Sequence, residues 1–142
     1  MKRIFLLLTL LVMFPLLGNA QLNVKKQTSK IETIATARAG YFSLKVQDDL
    51  YFIVTNTTNQ FDDPFIILLG EGKESALQTL NDLVSLCGNI EDGSTIVIQN
   101  GEMDCTISNG LMGGISFRMD SHAGYASTSK AELNKMIKAL GK

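Results

Sequence analysis

One order of segments occurs twice in this chain, and it limits the folds open to it: three β-like stretches followed by an amphipathic helix. In the first round, residues 41–46 alternate with Phe42, Leu44 and Val46 on one face, and Gln47-Asp48-Asp49 forms a turn. Residues 50–55 return with Leu50, Phe52 and Val54 on the same face, completing a hairpin. Phe65-Ile66-Ile67-Leu68-Leu69 is a continuous apolar run of the kind buried on both faces. From Lys73 to Cys87 the period becomes helical, with Ala76, Leu77, Leu80, Leu83, Val84 and Cys87 on one stripe and Gly88 closing it.

The second round keeps the order. Residues 95–99 and 103–108 flank Asn100-Gly101, a hairpin turn signal, and Ile115, Phe117 and Met119 alternate in a third strand. Ser129-Lys130-Ala131-Glu132 has the form of a capping box and opens a helix with the stripe Leu133, Met136, Ile137 and Leu140. Residues 29–39 read two ways, since Ser29 and Glu32 suit a helix start while Thr33, Ile34 and Thr36 favour a strand; the strand reading is preferred. The resulting expectation is an α+β, two-layer domain: an antiparallel sheet of six or seven strands with two helices on one face, the strand-strand-strand-helix plan occurring twice.

Residues 1–20 read as a secretory signal peptide. Lys2 and Arg3 give the positive start, residues 4–17 an apolar stretch broken by Thr9 and Pro15, and Gly18-Asn19-Ala20 the small residues of a cleavage site. The run is shorter than the roughly 20 apolar residues a membrane span needs, and nothing after Ala20 is apolar enough to span a bilayer. Residues 21–142 are therefore expected to be a single secreted or periplasmic globular domain without stable membrane insertion after cleavage. The whole chain carries a formal net charge of -1, and its basic residues do not cluster beyond Lys25-Lys26, which argues against nucleic acid as a partner.

Chemistry-bearing motifs are scarce. Gly70 to Ser75 places glycines, a lysine and a helix in the order of a phosphate loop, but a single residue separates the glycines and Glu74 follows the lysine, so the spacing fails. One histidine and two core-directed cysteines supply no zinc set, and no cofactor motif is present. Cys87 on the helix stripe and Cys105 on an inward strand face suit a disulfide in an oxidising compartment, while two packed thiols remain the alternative. Neither cysteine has the electropositive setting of a nucleophile, so no catalytic residue is assigned.

A contact function is what remains: a secreted or periplasmic, non-enzymatic binding or interaction domain for an unidentified protein or small molecule. Tyr51, Ile53, Ile66 and Leu68 alternate with the residues assigned to the helix-covered side, so they are expected to form an apolar second sheet face, buried by sheet curvature and the protein's own loops or covered by the N-terminal segment, a second copy, or a ligand or partner. Loop 56–64 with Phe61 and loop 109–114 with Leu111 and Met112 complete that surface. Two alternatives stay open: a small hydrolase assembled around His122 with Asp120 and Asp104, and a structural subunit of a cell-envelope assembly.

Overall fold

A computed structural model describes residues 29–142; the segment expected to be a signal peptide lies outside the described residues. The first half is a four-stranded antiparallel meander, β1 (Glu32–Ala37), β2 (Phe42–Gln47), β3 (Leu50–Thr55) and β4 (Phe65–Glu71), in the order β1-β2-β3-β4. A short 3-10 helix at Arg38–Gly40 joins β1 to β2. Helix α1 (Lys73–Leu86) follows, and the second half repeats the plan with β5 (Ile96–Asn100), β6 (Met103–Asn109), β7 (Ile115–Arg118), β8 (Ala126–Thr128) and helix α2 (Lys130–Leu140).

The class is thus α+β, but the strands form two four-stranded sheets rather than one sheet of six or seven. The strand missing from the expected plan is β8, whose three residues Ala126-Ser127-Thr128 are too short and too polar to show an apolar period. Both helices lie against the first sheet, α1 on β3 and β4 and α2 on β1, and they pack on each other. The inner face of the second sheet joins the same core, where Cys105, Ile107, Ile115 and Phe117 are buried with Phe42, Leu44, Ile53, Phe65 and Ile67. Phe117 reaches across to Phe65 with ring centroids 6.4 Å apart.

Hairpin register decides which residues face that core. Gln47 pairs with Leu50, so the turn between β2 and β3 has only two residues, Asp48 and Asp49, both at positive φ (49° and 67°) as a type I′ turn demands. That pairing sets Val46 opposite Tyr51 and Leu44 opposite Ile53, which puts Tyr51 and Ile53 on the face of Phe42 and Leu44. The expected apolar outer face therefore does not exist as a unit. Ile53 is fully buried, Tyr51 packs against the core, and only Ile66 and Leu68 lie on the outer side, paired with Val54 and Phe52.

The second hairpin departs from expectation in the same way. Asn100 pairs with Met103, so Gly101 and Glu102 form the turn, with positive φ at Gly101 (68°) and not at Glu102, the pattern of a type II′ turn. Asn100 is left as the last residue of β5, buried, with its amide free to act elsewhere. The capping box that opens α2 forms as its sequence indicates: the Glu132 amide donates to Ser129 Oγ (3.3 Å) and the Ser129 amide to Glu132 Oε2 (2.8 Å).

Candidate functional site

Strands β6, β7 and β8 bring a row of hydroxyls onto the outer face of the second sheet. Ser108 pairs with Ser116 and Ser116 with Ser127, while Arg118 sits next along β7 opposite Thr106. Cross-strand partners share a face, so the three serines form a line across three strands with one guanidinium beside it. With Tyr125, Leu111, Asn109 and Gly110 they line a depression of about 360 Å³. Tyr125 is 44% exposed and Leu111 85% exposed, so the depression has a partly apolar rim over a hydroxylated floor.

These floor groups are uncommitted. Among the described residues, the side chains of Ser108, Ser116, Ser127 and Arg118 make no hydrogen bond or ion pair; the salt bridge among them joins Arg38 to Glu132. A second depression, about 330 Å³, is lined by Tyr41, Pro64 and residues of loop 56–64, and it differs in just this respect. There the Thr57 hydroxyl donates to Asp62 Oδ2 (3.0 Å) and the Asn59 amide to Asp62 Oδ1 (2.9 Å), so these three polar side chains already satisfy one another.

Asp62 also explains why loop 56–64 is ordered. Its carboxylate accepts from the Gly124 amide (2.8 Å) and the Ala123 amide (3.4 Å), and Thr58 donates its own amide to the Tyr125 carbonyl (2.9 Å). The β3–β4 loop and the β7–β8 loop, which hold equivalent places in the two halves, are clamped together by these bonds. A Cβ at Gly124 would lie 2.7 Å from the Asn59 nitrogen, so the approach requires glycine. The Gly124 amide holds the Asp62 carboxyl below the ordinary carboxylate range; burial opposes it, while Thr57, the Ala123 amide and the nearby His122 reinforce it.

His122 lies in the same loop junction. Its Nδ1 is 2.9 Å from Ser121 Oγ, and its ring packs against Phe65 in a tilted arrangement, 5.1 Å between centroids and 49° between planes. Its Nε2 is buried and meets no hydrogen-bonding partner. Asp104 and Asp120 are exposed and make no bond to the ring, and neither depression is lined by His122. A base needs an orienting group and an accessible nucleophile, and the described residues assemble no such set here. No three His, Cys, Asp or Glu side chains among them converge as a metal-ligand group.

The residues expected to bind are dispersed. Ile53 is inside and Tyr51 faces the core, while Ile66 on β4, Phe61 in loop 56–64, and Leu111 and Met112 together in a 3-10 turn are exposed (46, 87, 85 and 102%). Of these, Leu111 alone lines the hydroxylated depression. The expected disulfide is not formed: Cys87 and Cys105 are buried free thiols. Cys87 caps the end of α1 and donates to the Leu83 carbonyl (3.5 Å), and burial pushes its thiol pKa up; burial pushes Cys105 up to about 11. The serine row carries no apolar period that would mark it as a contact surface. Its signal lies in the outward positions Thr106, Ser108, Ser116 and Arg118, which are polar on strands whose inward positions are apolar. Compared with protein-family models, with curated proteins and with solved structures, the chain matches none.

Proposed function

We propose that this chain is an exported, non-enzymatic binding domain, and that it holds its ligand in the hydroxyl-lined depression on the outer face of the second sheet. The observation that carries the reading is the contrast between the two depressions. In one, Thr57, Asn59 and Asp62 bond one another; in the other, three hydroxyls and a guanidinium are directed outward without partners among the described residues. Binding sites combine apolar surface with a few convergent polar groups, and this depression has both.

The chemistry of the lining selects the ligand. Hydroxyls at Ser108, Ser116 and Ser127 both donate and accept, which suits a hydroxylated ligand; Arg118 forms a fork suited to a carboxylate; the exposed ring of Tyr125 offers a face for a sugar ring. An acidic saccharide satisfies all three. The test is calorimetric titration with a uronic-acid oligosaccharide, its neutral counterpart and a short peptide with a free carboxylate. Saturable binding of the acidic saccharide, weakened about tenfold by Arg118→Ala as one charge-assisted hydrogen bond is lost, supports the reading. Binding of none of them, equal binding by Arg118→Ala, or preference for the peptide contradicts it. Residues 1–20 support export in this reading, and N-terminal sequencing of protein recovered from its host, starting at Gln21, is the corresponding check.

A further inference from the structure

The two sheets have four edges, and three of them are blocked. On β1 the register shifts between Thr33 and Ala35, α2 packs against the strand, and Lys135 Nζ donates to the Thr36 carbonyl (2.6 Å). On β4 the Asn100 amide occupies the Ile66 carbonyl and the Leu68 nitrogen, both at 2.8 Å. The strand β8 is only three residues long. Bulges, charged side chains, covering groups and short strands are the usual protections of an edge, and each of these edges has at least one.

The edge at β5 has none of them. The segment Thr95-Ile96-Val97-Ile98-Gln99-Asn100 contains no charged residue and no proline, pairs with β6 without a register shift, and has no strand partner on its other side among the described residues. Val97 points to the outer face and is 60% exposed. Such a strand is a template for adding another strand. We propose that β5 pairs antiparallel with β5 of a second copy of this chain, joining the two second sheets into one continuous sheet about a twofold axis.

A second copy is the fitting occupant because the segment is complementary to itself. An uncharged strand meets its own copy without the like-charge opposition that disfavours identical charged strands. Antiparallel pairing about a twofold axis also closes the assembly at two, leaving no further β5 edge to propagate. That axis runs normal to the sheet, so the outer faces of both copies point the same way. The dimer would then present two hydroxylated depressions side by side, though the pairing itself is independent of what they bind.

Sedimentation velocity over a concentration series tests this with wild type, Val97→Lys and Val97→Glu. Wild type is expected to show a concentration-dependent dimer, each single variant to be monomeric with an unchanged circular dichroism spectrum, and the equimolar mixture of the two variants to recover the dimer. Recovery in the mixture separates an edge contact from a folding defect. A wild type that stays monomeric to about 1 mM, beyond which specific association is weak, would overturn the proposal. So would dimers in both single variants, or a mixture that stays monomeric.

Discussion

The side-chain amide of Asn100 replaces a neighbouring strand for Leu68: the Leu68 backbone N–H donates to Asn100 Oδ1 at 2.8 Å, while Asn100 Nδ2 donates to the Ile66 carbonyl at 2.8 Å. One residue at the end of β5 thereby ties the second sheet to the outer edge of the first. A primary amide supplies both the donor and the acceptor of that fork, and the same Nδ2 also donates to Met119 Sδ (3.3 Å). Asn100→Ala leaves two ladder groups of β4 without partners and should destabilise the fold by about 2 kcal/mol. Asn100→Asp keeps the acceptor but sets a carboxylate against the Ile66 carbonyl, so it should not restore stability. Urea denaturation of the three proteins measures both effects; an Asp variant as stable as wild type would contradict the bridge.

The turn at Asp48–Asp49 holds two non-glycine residues at positive φ. Left-handed backbone costs a residue with a Cβ about 1 kcal/mol, and glycine relieves it. Asp49→Gly should therefore raise stability by roughly 0.5–1 kcal/mol without moving the register, as thermal denaturation would show. A loss of stability would mean that the turn is not of the type I′ form.

That turn also marks how far the sequence could be read. The hydrophobic periods located β2 to β7 and both helices, and the Ser129–Glu132 capping box marked the start of α2 to within one residue. Faces were harder, because the side-chain period of a strand is two and a turn one residue shorter reverses every assignment that follows. Reading Gln47 as part of the turn sent Tyr51 and Ile53 to the wrong side; pairing Gln47 with Leu50 restores them to the core. The division into two sheets had no local signal, since strand pairing is set between residues far apart in sequence, and β4 meets β5 through the Asn100 side chain rather than through a backbone ladder. Ser108, Ser116 and Ser127 come together only once β8 is placed, and β8 itself has no apolar period.

Glu132 joins the helix cap to the first half of the chain. Burial raises its carboxyl pKa, but the Ser129 amide, the Arg38 guanidinium and the Thr128 hydroxyl outweigh it and hold the group below the ordinary 4.5. A depressed folded-state value means that its stabilisation is complete above the ordinary glutamate range and is lost as pH falls through the lower folded value. Glu132→Gln should cost about 1 kcal/mol near neutral pH and flatten the acid limb of the stability curve. Equal acid sensitivity of the two proteins would show that Glu132 does not report this contact.

Cys87 and Cys105 are buried with raised thiol pKa values, and both effects suppress the thiolate. Native protein at pH 8 should resist alkylation by iodoacetamide, and both thiols should react after unfolding in guanidinium without a reductant. Labelling that needs a reductant would reveal a bridge, and rapid labelling of the native state would contradict their burial.

The binding surface itself is open to direct mapping. In a heteronuclear NMR titration of the isotope-labelled protein with a uronic-acid oligosaccharide, the expected shifts concentrate at Ser108, Ser116, Arg118, Tyr125 and Ser127, with loop 56–64 unchanged and the response lost in Arg118→Ala. Shifts centred instead on loop 56–64, or a spectrum unmoved by saturating saccharide, would contradict it.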